Sequence, residues 1–258
     1  MKVCVLGSGS AGNCIFVSAN GTKILIDLGL SALRVEKSLR VLGGSADNIT
    51  VLVTHCHIDH TGGLETFCRR HPSTKVYCHN DCVASVCNKS RVDKIVSISG
   101  DFFVGAITVS PFKVSHDVPC VGYALLCGGK KVTIATDIGK MTDSILSTFC
   151  DSDLIILESN HDENLLMNND IYPLALKKRI LSDKGHLSNR VCADCVKTLA
   201  LSGVRQFILA HLSKENNYPE LAFETTKEKL LEIGLCEGDV FIFEVASQDK
   251  MSSLFEII

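Results

Sequence analysis

The chain has 258 residues and is 46% hydrophobic, which is enough apolar material for one large domain or for two halves that share a core. Its formal net charge is −3, which excludes a global electrostatic attraction to nucleic acid or to an anionic membrane. Any nucleic-acid binding must therefore depend on a local basic patch. No apolar stretch approaches the roughly 18 residues that span a bilayer, so we expect a cytoplasmic protein with no membrane partner.

The cysteine pattern also indicates a reducing compartment. The chain has 13 cysteines, an odd number, and most of them lie inside apolar strand or helix patterns rather than in a disulfide framework. Cys192 and Cys195 have the CxxC spacing of redox and metal sites, but they fall in a helical pattern without a second pair, so we expect helix packing. Four others are predicted to be small buried hydrophobes: Cys4, Cys14, Cys127 and Cys236.

The first half of the chain alternates short apolar runs with helical patterns. Helices are predicted at Ser31–Leu42 and Leu64–His71, and a helix and a short strand between Asp81 and Val96. The predicted strands are Lys2–Leu6, Asn13–Ala19, Thr22–Asp27, Thr50–Thr54 and Lys75–Cys78.

The second half has the same composition of elements. Its predicted helices are Thr142–Phe149, Ser188–Leu201 and Pro219–Ile233. Its predicted strands are Ala106–Val114, Gly122–Cys127, Lys131–Ala135, Asp153–Leu157, Gln206–Ala210 and Val240–Glu244.

An internal echo relates the two halves. The segment from Gly21 to Gly29 resembles the segment from Gly129 to Gly139, and in both a strand delivers an aspartate at its carboxyl end. No low-complexity linker divides the halves. We therefore predict a single α/β domain over residues 1–258, with two sheets between layers of helices in an αββα sandwich.

Three imidazoles and a carboxylate follow the apolar run Val51–Thr54 within six residues: His55, His57, Asp59 and His60. In extended chain, side chains two residues apart project to the same side, so the first two histidines can bind one ion together. Buried histidines and aspartates demand partners, which makes a run of merely structural residues a poor explanation. This density of ligand side chains at the end of a strand indicates a metal site.

The second half supplies further ligands in the same kind of place. His116, Asp137 and His211 each follow a strand-like run, at its exit into a loop. Strand ends that meet at one rim are a usual location for a site in α/β architectures.

The His55-Cys-His57-Ile-Asp59-His60 motif, with its three downstream ligands, resembles the metallo-β-lactamase-fold hydrolases in order and spacing over essentially the whole chain. The resemblance implies a fold of two related halves and two divalent metal ions that share a nucleophilic hydroxide. Zn²⁺ and Mn²⁺ suit such ligands, and Fe does so equally. The implied ligands are His55, His57, Asp59, His60, His116, Asp137 and His211.

Three further motifs resemble the YycJ/WalJ-type branch of that fold, which is similar to ribonuclease Z and PhnP: the segments 6–14, 157–162 and 184–189. This resemblance implies a metal-dependent phosphodiesterase, specifically a 5′-to-3′ DNA exonuclease. It also implies that Glu158 and His186 form a catalytic pair that acts with Asp59. The alternative for His186 is a residue at a helix start that Ser188 caps.

Six residues near these motifs are predicted to bind substrate: Ser8, Ser10, Asn13, His161, Ser188 and Asn189. The first three lie in or beside a Gly-Ser-rich loop that can equally be a tight hairpin, since it lacks the spacing of a phosphate-binding loop. Asp27 is either a turn residue or a hydrogen-bond partner that orients a ligand histidine.

Five cations between Pro173 and Arg190 form a basic strip that leads toward His186: Lys177, Lys178, Arg179, Lys184 and Arg190. The strip can track a nucleic-acid backbone, DNA rather than RNA, or it can be a solvated helix face. Two other functions stay open at this point. One is a hydrolase of small cyclic phosphodiesters, thioesters or lactones on the same dinuclear site, and the other is a non-enzymatic binding module.

Overall fold

Two seven-stranded sheets form the framework of the computed structural model, which describes residues 1–236 and 242–258. The strands of these described residues are β1 (Lys2–Gly7), β2 (Cys14–Ala19), β3 (Thr22–Ile26), β4 (Thr50–Val53), β5 (Lys75–His79), β6 (Ile95–Ile98), β7 (Phe102–Val104), β8 (Ile107–Val114), β9 (Cys120–Cys127), β10 (Lys130–Ala135), β11 (Leu154–Glu158), β12 (Gln206–Ala210), β13 (Ile242–Val245) and β14 (Phe255–Glu256). The helices are α1 (Ala32–Val41), α2 (Ile58–Thr61), α3 (Leu64–Arg70), α4 (Asn80–Ser90), α5 (Asp143–Phe149), α6 (Glu163–Met167), α7 (Leu174–Ile180), α8 (Asn189–Leu201) and α9 (Pro219–Leu231).

Both sheets are mixed. The first has the order β14-β1-β2-β3-β4-β5-β6, antiparallel from β14 to β3 and parallel from β3 to β6. The second has the order β13-β12-β11-β10-β9-β8-β7 and is parallel from β10 to β13. The carboxyl ends of the parallel strands meet at one edge of each sheet, which is where the predicted site residues lie.

The chain divides into two units. Unit 1 comprises Met1–Pro111, Leu125–Gly129 and Gln248–Ile258, and unit 2 comprises Phe112–Ala124 and Lys130–Ser247. The prediction of one domain over residues 1–258 stays a prediction.

In unit 1, the parallel strands are apolar because helices cover them. Every residue of β4 is buried, as its β-branched composition predicts. Helix α1 begins at Ser31, whose side chain accepts a hydrogen bond from the Arg34 amide, and it buries Val35 and Leu39 at helical spacing.

In unit 2, helix α8 packs on the core around β11 and β12. Ser188 caps its first turn by accepting a hydrogen bond from the Val191 amide. Val196 and Leu199 of this helix are fully buried in a cluster with Phe207 of β12. The buried face of α8 therefore fixes the loop that precedes it, where two of the predicted site residues lie.

Most of the predicted helices and strands are confirmed to within two residues. Four short elements were not predicted, namely α2, α6, α7 and β7, and the residues after Ala246, for which the sequence left fraying or an edge strand open, include the edge strand β14. Helix α7 has no buried residue, so it has no apolar periodicity that a sequence pattern can reveal. Of the predicted strand Val240–Glu244, residues 240 and 241 lie outside the described residues, and β13 occupies the rest.

The predicted burial of the cysteines is confirmed for Cys4, Cys14 and Cys127 and is wrong for Cys236, which is exposed. Cys236 lies beyond the end of α9, where the chain has left the helix that packs on the core. No helix among the described residues combines the length and the apolar character that crossing a membrane requires.

The CxxC cysteines have the packing role that was expected. Cys192 and Cys195 are buried on the inner face of α8. Burial raises the pKa of the Cys192 thiol well above its ordinary value and raises that of Cys195 to about 12. Thiols of this kind hold their protons at neutral pH and are poor nucleophiles.

Alkylation of the native protein by iodoacetamide near neutral pH should therefore modify Cys236 and leave Cys192 and Cys195 intact, because only the first is exposed. Mass spectrometry of the peptides measures this, with urea-unfolded protein as the control in which all three react. Modification of the CxxC pair at the rate of Cys236 in the native protein would show that packing is not their role.

Candidate metal centre

In unit 1, the end of β4 brings three imidazoles together. His55 and His60 are fully buried, and His57 is the N-cap residue directly before α2. The ring of His55 lies 4.7 Å from that of His57 and 4.2 Å from that of His60, centroid to centroid. The motif therefore forms one compact cluster, as predicted.

Asp27 organises this cluster from the end of β3. Its carboxylate accepts hydrogen bonds of 2.8 Å from both the amide and the hydroxyl of Thr54, and it lies 2.7 Å from Nδ1 of His60. The hydroxyl of Thr54 is in turn 3.0 Å from Nδ1 of His55. When Nδ1 carries the proton in both rings, Nε2 is the nitrogen that can bind a metal. Nε2 of His60 also lies 3.0 Å from the side-chain amide nitrogen of Asn13.

The Gly-Ser-rich loop supports Asp59. The side chain of Asn13 accepts hydrogen bonds from the Ser8 hydroxyl and the Gly9 amide, and its amide group lies 3.3 Å from the Asp59 carboxylate. The Asn13 backbone amide also donates to the Asp59 carbonyl at 2.8 Å. Ser8 and Asn13 are buried, and Ser10 is exposed.

Gly29 allows the chain to pass this close. A Cβ at Gly29 would lie 1.7 Å from the carbonyl oxygen of Asp59, and the Gly29 amide donates to the Asn13 carbonyl at 2.9 Å. Backbone atoms occupy the space of a side chain there, so no other residue fits without moving Asp59.

In unit 2, four side chains converge from different strand ends and loops. Asp137 follows β10, Glu158 ends β11, His211 follows β12 and His186 precedes α8. One ligand atom of each lies within 4.8 Å of those of the other three. His116, which follows β8, has its Nε2 atom 3.8 Å from the Asp137 carboxylate.

Glu158 is fully buried and saturated with hydrogen bonds. Its Oε1 atom is 2.8 Å from Nδ1 of His186 and 2.8 Å from Nδ1 of His211. Its Oε2 atom accepts from the amides of Ile138 at 2.9 Å and Leu187 at 3.0 Å. The predicted contact between Glu158 and His186 is present, and the second contact to His211 was not foreseen.

These contacts set the protonation of the cluster. Burial would raise the pKa of Glu158, but the imidazoles of His186 and His211 outweigh it and lower this pKa to about 2. Burial would lower the pKa of His186, but the carboxylates of Glu158 and Asp137 outweigh it, so this pKa lies above its ordinary value. Glu158 is therefore a charged carboxylate that holds two imidazole N–H groups.

The donor set fits divalent metal ions. In unit 2, Nδ1 of His211 is engaged by Glu158 and Nδ1 of His116 faces the Gly185 carbonyl at 3.3 Å. As in unit 1, hydrogen bonds to Nδ1 leave Nε2 for a metal, which is the arrangement of histidine ligands in zinc proteins.

The residues predicted to bind substrate in unit 2 differ in their surroundings. The side chain of Asn189 is buried and engaged with Ser159 at 2.7 Å and Asn217 at 2.8–2.9 Å. The hydroxyl of Ser188 donates to Glu163 at 2.9 Å. His161 is also buried and lines a pocket beside His186.

Tertiary contacts neutralise part of the basic strip. Arg179 pairs with Asp117, and Arg190 pairs with Glu163 at 3.0 Å. The three lysines of the strip form no ion pair within the part of the chain that the structure describes.

Sequence reasoning missed one supporting residue of unit 2. The Asn160 side chain donates to the His211 carbonyl at 2.8 Å, and its backbone bonds to Leu187 and Ser213. Asn160 therefore ties the loops that carry His186 and His211 to the end of β11. Its position directly after Glu158-Ser in the 157–162 motif was the only available signal.

Comparison with known proteins adds an independent line of evidence. A family model described as a β-lactamase superfamily domain matches residues 22–212. Exodeoxyribonuclease WalJ of Streptococcus pneumoniae is 31% identical over 99% of this chain and 98% of its own length, and exodeoxyribonuclease YycJ of Bacillus anthracis is 33% identical over 92% of both. The crystal structure of the metallo-β-lactamase fold protein YhfI from Bacillus subtilis superposes with a TM-score of 0.68 at 19% identity, over 97% of this chain and 98% of that one.

These matches confirm the predicted fold class and the resemblance to the YycJ/WalJ-type branch. The likeness to YhfI is one of fold.

Replacing Glu158 with glutamine should destabilise the metal-free protein by about 2–4 kcal/mol, because the amide group places a donor against imidazole or backbone N–H donors in a buried site. Metal affinity should fall about 10–100-fold as His211 loses its orientation. Urea unfolding and metal titration measure the two effects. Glu224→Gln, which alters an exposed ion pair with Lys227, is the matched control and should change stability by less than about 1 kcal/mol.

Gly29→Ala should cost at least about 2 kcal/mol and reduce metal binding, because the added methyl group displaces the Asp59 carbonyl. Gly100→Ala is the control, since a Cβ at Gly100 meets nothing within 4 Å, and it should stay within about 0.5 kcal/mol of the parent. Equal stabilities of the two variants in urea unfolding would contradict the close packing of Gly29 on Asp59.

Proposed function

Since this chain belongs to the β-lactamase superfamily, and is therefore a metallo-hydrolase, we propose that it is a phosphodiesterase that degrades DNA in the 5′-to-3′ direction. Two relatives named exodeoxyribonucleases, which match nearly its whole length, support this substrate. The observation that carries the proposal is His186, an imidazole held by a buried carboxylate at 2.8 Å beside the candidate metal ligands. Such a group suits a substrate that is negatively charged and has a poor leaving group.

We propose that the chain is one domain that binds two divalent ions, Zn²⁺ or Mn²⁺, with Fe as a further option. When bound, such ions supply a nucleophile at neutral pH and neutralise charge on the phosphate. The proposed ligands are His55, His57, Asp59, His60, His116, Asp137 and His211.

His186 is proposed to act on the leaving group. Glu158 accepts a hydrogen bond from the Nδ1–H group of His186, which leaves the Nε2 proton to stabilise the developing charge or to pass to the departing oxygen. The raised pKa of His186 keeps a larger fraction of this imidazole charged at neutral pH than in an isolated histidine. Glu158 orients the ring and favours its charged form.

Asp59 is proposed to orient the attacking water as well as to bind metal. Its carboxylate lies beside the Asn13 amide at 3.3 Å, and its backbone is fixed by Asn13 and by the close passage of Gly29. Both constraints limit its movement during the reaction. We accordingly assign Ser8 and Asn13 to the support of Asp59, whereas His161 and Ser188 line a pocket next to His186 and remain proposed substrate contacts.

DNA is the proposed partner, and the lysines of the basic strip are its proposed backbone contacts. These lysines form no ion pair within the described residues, whereas Arg179 and Arg190 each pair with a carboxylate. Exposed lysines add a salt-dependent contribution to binding that does not depend on base sequence.

Ser10 remains a proposed substrate contact on its exposed loop, and Asn189 is assigned to internal support. A cytoplasmic location remains a prediction.

The decisive assay uses 5′- and 3′-labelled oligodeoxynucleotides and the corresponding RNA, with Mn²⁺- or Zn²⁺-loaded protein. We expect stepwise release of nucleotides from the 5′ end of DNA. His186→Ala should reduce turnover about 10²–10⁴-fold while metal content, measured by elemental analysis, stays unchanged. Asp59→Ala should lose both turnover and metal.

His71→Ala is the matched control, because His71 pairs with Glu36 at 2.9 Å and packs on Phe67 in unit 1, away from the proposed ligands, and it should retain turnover. Metal-loaded protein that leaves all these nucleic acids intact, yet hydrolyses a cyclic phosphodiester, thioester or lactone, would replace the proposal with the small-molecule alternative. Full turnover by His186→Ala would remove His186 from the mechanism.

A further inference from the structure

A pocket of about 320 Å³ opens beside His186 within unit 2. It lies between the segment after Asp137, the start of α6 and the loop that leads into α8. Its walls combine apolar side chains, among them Met141 and Leu181, with polar groups that include His161. Pockets for small organic groups have roughly this volume, and apolar and polar groups share the walls of this one about equally.

His161 is the unusual group in this pocket. Its side chain is 1% exposed, and neither ring nitrogen has a hydrogen-bond partner within the described residues. Burial without partners costs free energy, so a buried imidazole of this kind calls for a ligand. Burial also lowers the pKa of His161 to about 4, so the ring is neutral near pH 7 and offers one donor and one acceptor.

The backbone holds His161 in place. His161 forms a parallel β-bridge with Ser188, and the His161 carbonyl accepts a hydrogen bond from the Asn189 amide at 2.8 Å. The flanking Asn160 amide donates to the Leu187 carbonyl at 2.9 Å. The backbone that carries this unpartnered ring is therefore fixed by contacts to the segment that follows His186.

Two ion pairs lie at the pocket, and their charges balance. Lys140 pairs with Asp183 at 2.9 Å, and Arg190 pairs with Glu163 at 3.0 Å. A phosphate group would meet one carboxylate for each of these two cations, so the ion pairs do not select an anion. A flat, uncharged ring with donors and acceptors on its edge matches the combination of apolar side chains, such as Met141 and Leu181, with the neutral imidazole of His161, as in pockets that read a single nucleobase.

We propose that this pocket is a nucleobase subsite, in which His161 hydrogen-bonds to the base of the nucleotide next to the bond that is cleaved. The inference rests on the proposed nuclease function, because His186 is shared between the pocket and the proposed reaction centre. The binding measurement below does not depend on turnover, so the two can fail separately.

The first test follows the ring ¹⁵N signals of His161 in Zn²⁺-loaded protein by NMR. Deoxyadenosine and thymidine are added separately, and inorganic phosphate is added in a parallel titration. We expect the ring signals to shift with at least one nucleoside and to stay in place with phosphate. No shift with either nucleoside, or an equal shift with phosphate alone, would overturn the subsite.

The second test compares the parent protein with His161→Phe, which keeps an aromatic ring and removes both nitrogens. The KM for an oligodeoxynucleotide should rise about tenfold, as expected for one or two lost hydrogen bonds, with little change in kcat. On an oligonucleotide with an abasic site next to the cleaved bond, the two proteins should have the same KM. A merely structural role of His161 would affect both substrates equally and would overturn the inference.

The outcomes separate the two proposals. DNA degradation by the parent protein with an unchanged KM in His161→Phe removes the subsite and leaves the nuclease. Intact DNA with a nucleoside-induced shift of the His161 signals removes the nuclease and retains a nucleoside pocket. His71→Phe, an aromatic replacement of an unrelated histidine, is the control for both assays.

Discussion

The buried carboxylate of Glu158 is the group on which the geometry of unit 2 depends. Burying a charge costs several kcal/mol unless hydrogen bonds compensate, and here two imidazoles and two backbone amides do so. The two amides belong to Ile138 and Leu187, the residues directly after Asp137 and His186. One carboxylate therefore fixes three candidate site residues, two through their rings and one through the adjacent backbone.

Each unit places an aspartate after a strand in the same backbone conformation. Asp27 follows β3, which pairs in parallel with β4, and Asp137 follows β10, which pairs in parallel with β11. Both aspartates have left-handed backbone conformations, with φ of 59° and 61°. Aspartate tolerates this region better than most residues, and such conformations concentrate at functional sites. The two aspartates have different contacts. Asp27 holds Nδ1 of His60, whereas the Asp137 carboxylate lies near the imidazoles of His116 and His211. The two similar sequence segments thus share a backbone conformation at the aspartate, but each aspartate contacts different groups.

How far the sequence predicts this molecule depends on the range of each contact. The ligand motif was readable because its members are consecutive and follow one apolar strand. The pairing of Glu158 with His211 was not, because it requires β11 and β12 to be neighbours, with Glu158 opposite Ala210. For the same reason, the sequence could not show that both arginines of the basic strip are paired, because their partners Asp117 and Glu163 come from elsewhere in the chain. Composition and periodicity record what each segment prefers, whereas these contacts arise only from the tertiary structure.

The edge strand of the first sheet has a consequence for how the protein is made. Strand β14 pairs with β1, and Gln248 exchanges two hydrogen bonds with the loop before Asn13, at Ala11 and Gly12. Residues 248–258 follow all of unit 2 in the chain, so a ribosome has finished unit 2 before unit 1 can close its sheet. A nascent chain that stops before Gln248 already contains every proposed metal ligand, yet the loop that supports Asp59 still lacks its outer anchor. The contacts of Gln248 to Ala11 and Gly12 can therefore form only after the residues of unit 2 have been synthesised.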